Sequence, residues 1–330
     1  MSISTIKQTN KDHLTHYEGY YTIEFDRPSL RFDIVHPKEG HVEEFTDTFP
    51  SFCSPDKKIL LSLNIGMYNF YYTCVPAILL SHREQPDATL LLASSGVTCE
   101  DEKSYYKFLK RFLDDLGIKY IIEDMSKFSK IYINNFYSAD WFTRSEDELE
   151  LLYKAVMPYV KNPSVRPFRT VYISRGKVED RTFKYTKPGA SFAGDNRILD
   201  EEVLEKFFID NGVEVIYPED IPDFADQINY FYETKTLISL TSSGIANSLF
   251  MKPGGTILEI VTPLLQAMGN PFDPNNPVDV REDIHHIYNA MAYNKNHYYL
   301  SIQNHDRQSQ TIINKMLNHD SFSSLVRNNK

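Results

Sequence analysis

Apolar residues fall in short runs separated by longer stretches of mixed character, and the two kinds alternate along the chain. Lys58–Leu63 (KILLSL) and Thr89–Ala93 are apolar at almost every position, as expected of strands covered on both faces. Tyr20–Phe25 and Leu30–Val35 alternate apolar and polar residues, the pattern of edge strands. Asn64–Asn69 reads as a polar turn, and Phe70–Ser81 as a helix interrupted near Pro76. Glu102–Leu116 has helical spacing and stops at Gly117, which suits a left-handed helix cap. Ile118–Ile122 and Lys130–Ile133 read as two further strands. Glu146–Val160 is expected to be a helix that opens with acids, as the helix dipole favours.

Lys161–Pro167 (KNPSVRP) then breaks the pattern with two prolines and polar residues, the composition of a linker. Beyond it the alternation restarts. Thr170–Ser174 is a strand and Arg175–Asn196 a long basic loop. Asp200–Asn211 is a helix closed by Gly212, Val213–Tyr217 a strand, Asp223–Thr234 a helix and Thr236–Leu240 a strand. Ser243–Met251 is expected to be a helix, Thr256–Val261 a strand and Pro263–Pro277 loop. Glu282–Tyr293 (helix), Tyr298–Ile302 (strand) and Arg307–Val326 (helix) complete the series. Strand–helix alternation in both halves implies two parallel α/β domains facing across a cleft, over residues 1–162 and 163–330.

Composition narrows this picture. A chain of 330 residues fits two domains of about 150 residues each. Its 42% hydrophobic and 24% charged residues are those of an ordinary globular protein. The formal net charge of −10 opposes binding to a phosphate backbone, so nucleic acid is not expected as the main partner. An anionic nucleotide remains compatible, because local basic groups outweigh net charge. Cys53, Cys74 and Cys99 have no metal-type spacing, which points to reduced thiols and a cytoplasmic setting. No window resembles a signal peptide or a membrane span, so no integral membrane segment is expected.

The chemistry concentrates between Thr236 and Val261. A buried strand ends at Leu240, a turn of small residues follows, and a helix starts near Ser243. The free N–H groups of that first turn and the helix dipole make an anion site beyond the strand's carboxyl end. Gly244 lets a ligand approach the backbone, and Thr241, Ser242 and Ser243 add hydroxyl donors. These features describe a diphosphate cradle; an N-capped helix after a tight turn carries the same residues. Glu259, near the end of the next strand, has the acceptors to take two ribose hydroxyls, or to pair with a neighbouring base. Arg175 directly follows a buried strand, and a guanidinium there suits bidentate phosphate contact.

In order and spacing these segments resemble the family 61 glycosyltransferases. Tyr172–Arg175 matches the family's strand-Ser-Arg motif, so Ser174 belongs with Arg175. Arg197-Ile-Leu-Asp-Glu201 is similar to its Arg-x-x-Asn-Glu segment. Gln227 with Phe231, the turn Thr241–Asn247, Phe250–Gly255, Glu259 and Ala290–Leu300 follow in register, so the resemblance spans roughly Arg169–Leu300. It implies a GT-B fold, two Rossmann-like domains with the donor held by the second, and a C-terminal helix packing back on the N-terminal domain. It also implies inversion at the anomeric carbon, no metal and no cofactor beyond the nucleotide sugar. UDP-xylose and UDP-GlcNAc are the favoured donors, and a hydroxyl of a glycan or glycoprotein the acceptor. By the same analogy Arg175 and Arg197 approach the donor phosphates, Thr241–Gly244 cradle the diphosphate, Glu259 binds ribose, and Gln227 and Asn247 belong to the donor site.

The chain departs from the family pattern twice. The family's His-Gly-Ala-Gly turn reads Thr241-Ser242-Ser243-Gly244 here, which exchanges an imidazole for hydroxyls. Its Asn-x-x-His signature in the N-terminal half has no counterpart: Asn69 or Tyr72 stands where the His would be. A base for the acceptor hydroxyl must therefore come from elsewhere. Asp101 and Asp140 are the favoured residues, with Glu100, Asp124, His36 and His41 also at strand-end or loop positions; Trp141 is placed to stack on a sugar. A GT-B sugar-nucleotide epimerase and an inactive nucleotide-binding module are the alternatives.

Overall fold

The computed structural model describes residues 14–26, 31–35, 51–52, 57–63, 74–94, 104–124, 130–139, 146–161, 166–174, 200–221, 223–240, 243–261, 295–301 and 308–318. The chain divides into two compact units, Met1–Leu152 and Tyr153–Lys330.

In the first unit the strands are β1 (Leu14–Asp26), β2 (Arg31–Val35), β3 (Ser51–Phe52), β4 (Lys58–Leu63), β5 (Thr89–Ser94), β6 (Tyr120–Asp124) and β7 (Lys130–Ala139). They form one sheet in the order β2-β1-β7-β4-β5-β6, with β3 also on β7. β7, β4, β5 and β6 are mutually parallel. Ile59, Leu60 and Leu61 on β4 are all buried, as are Leu90–Ala93 on β5, which is why both strands are apolar without alternation. β1 pairs antiparallel with both β2 and β7. It is therefore an inner strand of 13 residues, not the short edge strand that Tyr20–Phe25 suggests. Helices α1 (Val75–Glu84) and α2 (Ser104–Asp115) follow β4 and β5. Pro76 lies in the first turn of α1; its missing N–H has no helical partner there in any case, so it starts the helix rather than breaking it.

Helix α3 (Glu146–Val156) contains the division between the units. Its end and the 3-10 turn Met157–Tyr159 are fixed to the second unit. Asn229 Nδ2 donates to Tyr159 O at 2.9 Å, Lys161 N donates to Asn229 Oδ1 at 2.6 Å, and Lys161 Nζ pairs with Asp226 at 2.6 Å. These bonds draw the segment before the proline-bearing stretch into the second unit.

The second unit has strands β8 (Arg169–Ile173), β9 (Glu214–Ile216), β10 (Thr234–Leu240), β11 (Thr256–Val261) and β12 (Asn296–Ser301), and helices α4 (Glu201–Asp210), α5 (Phe224–Tyr232) and α6 (Ser309–Leu317). The sheet is wholly parallel, in the order β12-β11-β10-β8-β9. Counted from the β9 edge, the chain order is second, first, third, fourth, fifth. Strand order therefore reverses direction between β8 and β10. Right-handed crossovers put the connection β8-α4-β9 and the connections after β9 and β10 on opposite faces. The packing agrees. Tyr172, Ile238, Leu240, Leu258 and Ile260 meet Leu204 and Phe208 of α4 and Ile312, Ile313 and Met316 of α6 in one cluster. Strand alternation turns Val171, Ile173, Leu237, Ile257 and Glu259 to the other face. α5 contacts the helical segment that follows β10, with Phe224 edge-on to Phe250.

Two sequence expectations are corrected here. The C-terminal helix packs on its own sheet: Ser309 N donates to Asp200 Oδ1 at 2.7 Å, and Ile312 and Met316 are buried in the cluster just described. The segment after β10 is a 3-10 helix, Ser243–Phe250, not an α-helix. Asn247 Nδ2 donates to Gly244 O at 3.0 Å, a side-chain bond three residues back that matches the 3-10 pitch. Both units, with parallel strands and intervening helices, are consistent with Rossmann-like folds. The expected helix Glu282–Tyr293 lies outside the described residues.

Candidate functional site

In an open parallel sheet, ligands bind beyond the carboxyl ends of the strands where strand order reverses. In the second unit that point lies between the ends of β8 and β10. Ser174 immediately follows β8 and is buried; its N–H donates to Ile216 O at 3.0 Å. Its hydroxyl lies 3.2 Å from Glu201 Oε1 and in close contact with Glu205 Oε1. Tyr172 OH donates to Glu201 Oε1 at 2.8 Å, and Tyr217 OH donates to Glu205 Oε1 at 2.9 Å. Three hydroxyls from two strand ends thus converge on two carboxylates one turn apart on α4. The acids suit this place, because Glu201 is in the first turn of α4 and faces the positive end of its dipole. Burial, the bond to Glu205 and that carboxylate's charge raise the Tyr217 phenol above its ordinary pKa.

Across the switch point, β10 ends at Leu240 and the 3-10 helix begins at Ser243. Gly244 is half-buried in its first turn, and its carbonyl is held by Asn247. Asn247 is fully buried, and its Oδ1 has no hydrogen-bond partner. The opposite assignment of the amide would face an oxygen to the Gly244 carbonyl, so the orientation is fixed by chemistry. A buried acceptor without a donor costs about 1–3 kcal/mol. Eight residues is long for a 3-10 helix, which rarely exceeds three or four.

Gln227 on α5 is buried, and its Nε2 donates to Pro218 O at 2.8 Å and Ile221 O at 3.0 Å. Both amide hydrogens are thereby used to shape the turn after β9, at the carboxyl edge. Glu259 on β11 is 2% exposed, and His297 Nε2–H donates to its Oε2 at 2.9 Å. A carboxylate only accepts, so the proton is on Nε2. Of the expected donor-site residues, the structure thus gathers Ser174, Ser243, Gly244 and Asn247 around the switch point, with Gln227 supporting the neighbouring turn and Glu259 on the adjacent strand. Arg175, Arg197, Thr241 and Ser242, and the base candidates Asp101 and Asp140, lie outside the described residues. Glu205, Tyr217 and His297 were not legible as site residues. Glu201 and Glu205 have four-residue spacing at a helix start, a signal that is common on solvated helices; His297 has no local pattern at all.

A family model described as Glycosyltransferase 61 matches residues 45–258, more than half of the chain. The chain belongs to the glycosyltransferase 61 family. The match begins well before Arg169, where the sequence resemblance starts, and takes in most of the first unit as well as both sides of the switch point. It ends one residue before Glu259, so Glu259 and His297 lie beyond it. No curated protein matches the chain. Membership makes this family 61 protein a glycosyltransferase, with a sugar donor and a glycan acceptor as substrates. No helix among the described residues is long and apolar enough to cross a membrane.

Proposed function

We propose that this glycosyltransferase transfers a sugar, with inversion, from a UDP-sugar, UDP-xylose or UDP-GlcNAc favoured, to a hydroxyl of a glycan or glycoprotein. The observation that carries the reading is the reversal of strand order between β8 and β10. Ser174 and the start of the 3-10 helix flank that point, and Arg175 follows Ser174 in sequence. In this reading the backbone N–H groups near Ser243 and Gly244, the hydroxyls of Thr241 and Ser242, and Arg175 and Arg197 stabilise the diphosphate as charge develops on it. Glu259 takes the ribose. Asp101 or Asp140, from the first unit, deprotonates the acceptor hydroxyl in line with the leaving UDP. The two units form a GT-B pair, and electrostatic stabilisation by arginine and backbone makes a metal unnecessary. The enzyme works in a cytoplasm.

A thermal-shift screen against UDP, GDP, CMP and their sugars tests the donor class. A ligand that binds only the folded chain stabilises it by RT ln(1 + [L]/Kd), about 2.7 kcal/mol at a hundredfold excess over Kd. UDP and a UDP-sugar are expected to raise Tm, and GDP and CMP to leave it unchanged. Incubation with a UDP-sugar alone separates transfer from epimerisation, because an epimerase changes the sugar without an acceptor.

A further inference from the structure

Asn247 lies within the 3-10 helix Ser243–Phe250, between Ala246 and Ser248, and all three are buried. Asn247 is 0% exposed, so its side chain meets no ligand arriving from solvent. It meets the backbone instead: Nδ2 donates to Gly244 O at 3.0 Å. Oδ1, on the same amide, is buried without a hydrogen-bond partner. An apolar side chain of this size would carry no stranded acceptor, so stability alone does not account for an amide at this position.

The bond favours one backbone form. In a 3-10 helix each carbonyl faces the residue three places on; in an α-helix it faces the one four places on. Counted from Gly244 these are Asn247 and Ser248. The Asn247 amide competes for Gly244 O with the Ser248 N–H that an α-helix would bring there, and so supports the tighter pitch. It also acts on the residue of the turn with the widest conformational freedom. Fixing the Gly244 carbonyl narrows the rotation of that residue, and with it the direction of its N–H. Gly244 is half-buried, so its backbone is open to approach where the Asn247 side chain is not.

We infer that Asn247 is a positioning residue: from inside the fold it holds the Gly244 carbonyl, keeps the start of Ser243–Phe250 in its 3-10 form, and so presets the backbone N–H groups there for a diphosphate. This rests on the proposed contact of the N–H groups near Ser243 and Gly244 with the donor. If the amide only packed the helix, its loss would lower stability and leave affinity unchanged.

The test is calorimetry with UDP on the full chain, below the melting transition of every variant compared. Asn247→Thr and Asn247→Val match each other in shape, and only the threonine hydroxyl donates to a carbonyl three or four residues back. Asn247→Thr is expected to bind UDP within about threefold of wild type, and Asn247→Val about tenfold more weakly, the loss of one hydrogen bond to a charged group. Equal affinities in the two variants overturn the inference; if wild type binds UDP, the diphosphate site itself stands. Absence of UDP binding by wild type removes the site and the inference together. A crystal structure of wild type with UDP needs no variant. Asn247 Nδ2 is expected to remain on Gly244 O, and Ser248 N–H in its place overturns the inference.

Discussion

The phenol of Tyr172, at the end of β8, donates to Glu201 Oε1 at 2.8 Å, tying the strand that leads into the switch point to the first turn of the helix beside it. Both residues are buried, so the bond sits where water cannot replace it. Tyr172→Phe removes one donor and is expected to lower unfolding free energy by about 1–2 kcal/mol. Glu201→Ala removes the acceptor of the Tyr172 hydroxyl at 2.8 Å and one of the two carboxylates that contact Ser174 Oγ, and should lower it by about 1–3 kcal/mol. Urea denaturation of both variants measures this. Equal, negligible losses would show that the cluster does not hold the strand end in place.

The turn between the 3-10 helix and β11 gives two glycine variants with separable causes. Gly254 has φ 82° and open space around it, so Gly254→Ala costs only the left-handed conformation, roughly 1–2 kcal/mol. At Gly255 a Cβ would stand 2.8 Å from Met251 Cε and 3.2 Å from Lys252 O. Gly255→Ala is expected to cost about 1–3 kcal/mol through crowding. Met251→Ala in the Gly255→Ala background should recover part of that loss relative to Met251→Ala alone, and should recover nothing in the Gly254→Ala background. Double-mutant cycles give both couplings.

Lys295, just before β12, has its pKa lowered from 10.5 to about 8 by burial. Between those two values the unfolded chain binds more protons than the folded one, so this group makes stability rise with pH. Below about 8 it is protonated in both states and its contribution is flat. Lys295→Met removes the dependence. Wild type should therefore gain on the variant as pH is raised from 8 to 10.5 in denaturation series. A constant difference would show that the ammonium is not desolvated.

How far the sequence carries differs between the sheet and the site. Runs such as Lys58–Leu63 and Thr256–Val261 are bounded as expected, because a strand covered on both faces is apolar at most positions and stands out from its surroundings. Gly117 and Gly212 end their helices with positive φ, as their positions predict. β1 and β7 are longer than expected because their antiparallel pairing admits polar residues that dilute the apolar signal. The 3-10 form of Ser243–Phe250 was not legible either: it goes with the Asn247 amide bonding back to Gly244, a contact no periodicity encodes. Glu259 is singled out by its place near a strand end and Ser174 by the strand-Ser-Arg resemblance, and the structure puts Glu259 on β11 and Ser174 directly after β8. Their partners Glu205 and His297 are not singled out, since each comes from an element distant in sequence.

Arginine in place of metal is the electrostatic premise of the proposed mechanism. Arg175→Ala is expected to weaken UDP binding at least about tenfold, the loss of a charge-assisted hydrogen bond, as measured by calorimetry. EDTA should leave transfer unaffected. Unchanged affinity in the variant, or an absolute metal requirement, would contradict the premise.

The central claim is inverting transfer from a UDP-sugar, and NMR of the product tests it most directly. The chain is incubated with UDP-xylose or UDP-GlcNAc and a panel of glycan and glycopeptide acceptors, and the anomeric configuration of the new linkage is read together with released UDP. The account predicts UDP and a glycoside of inverted configuration, formed in equal amounts. A product with retained configuration, or tight UDP binding with no nucleotide sugar ever consumed, would contradict it.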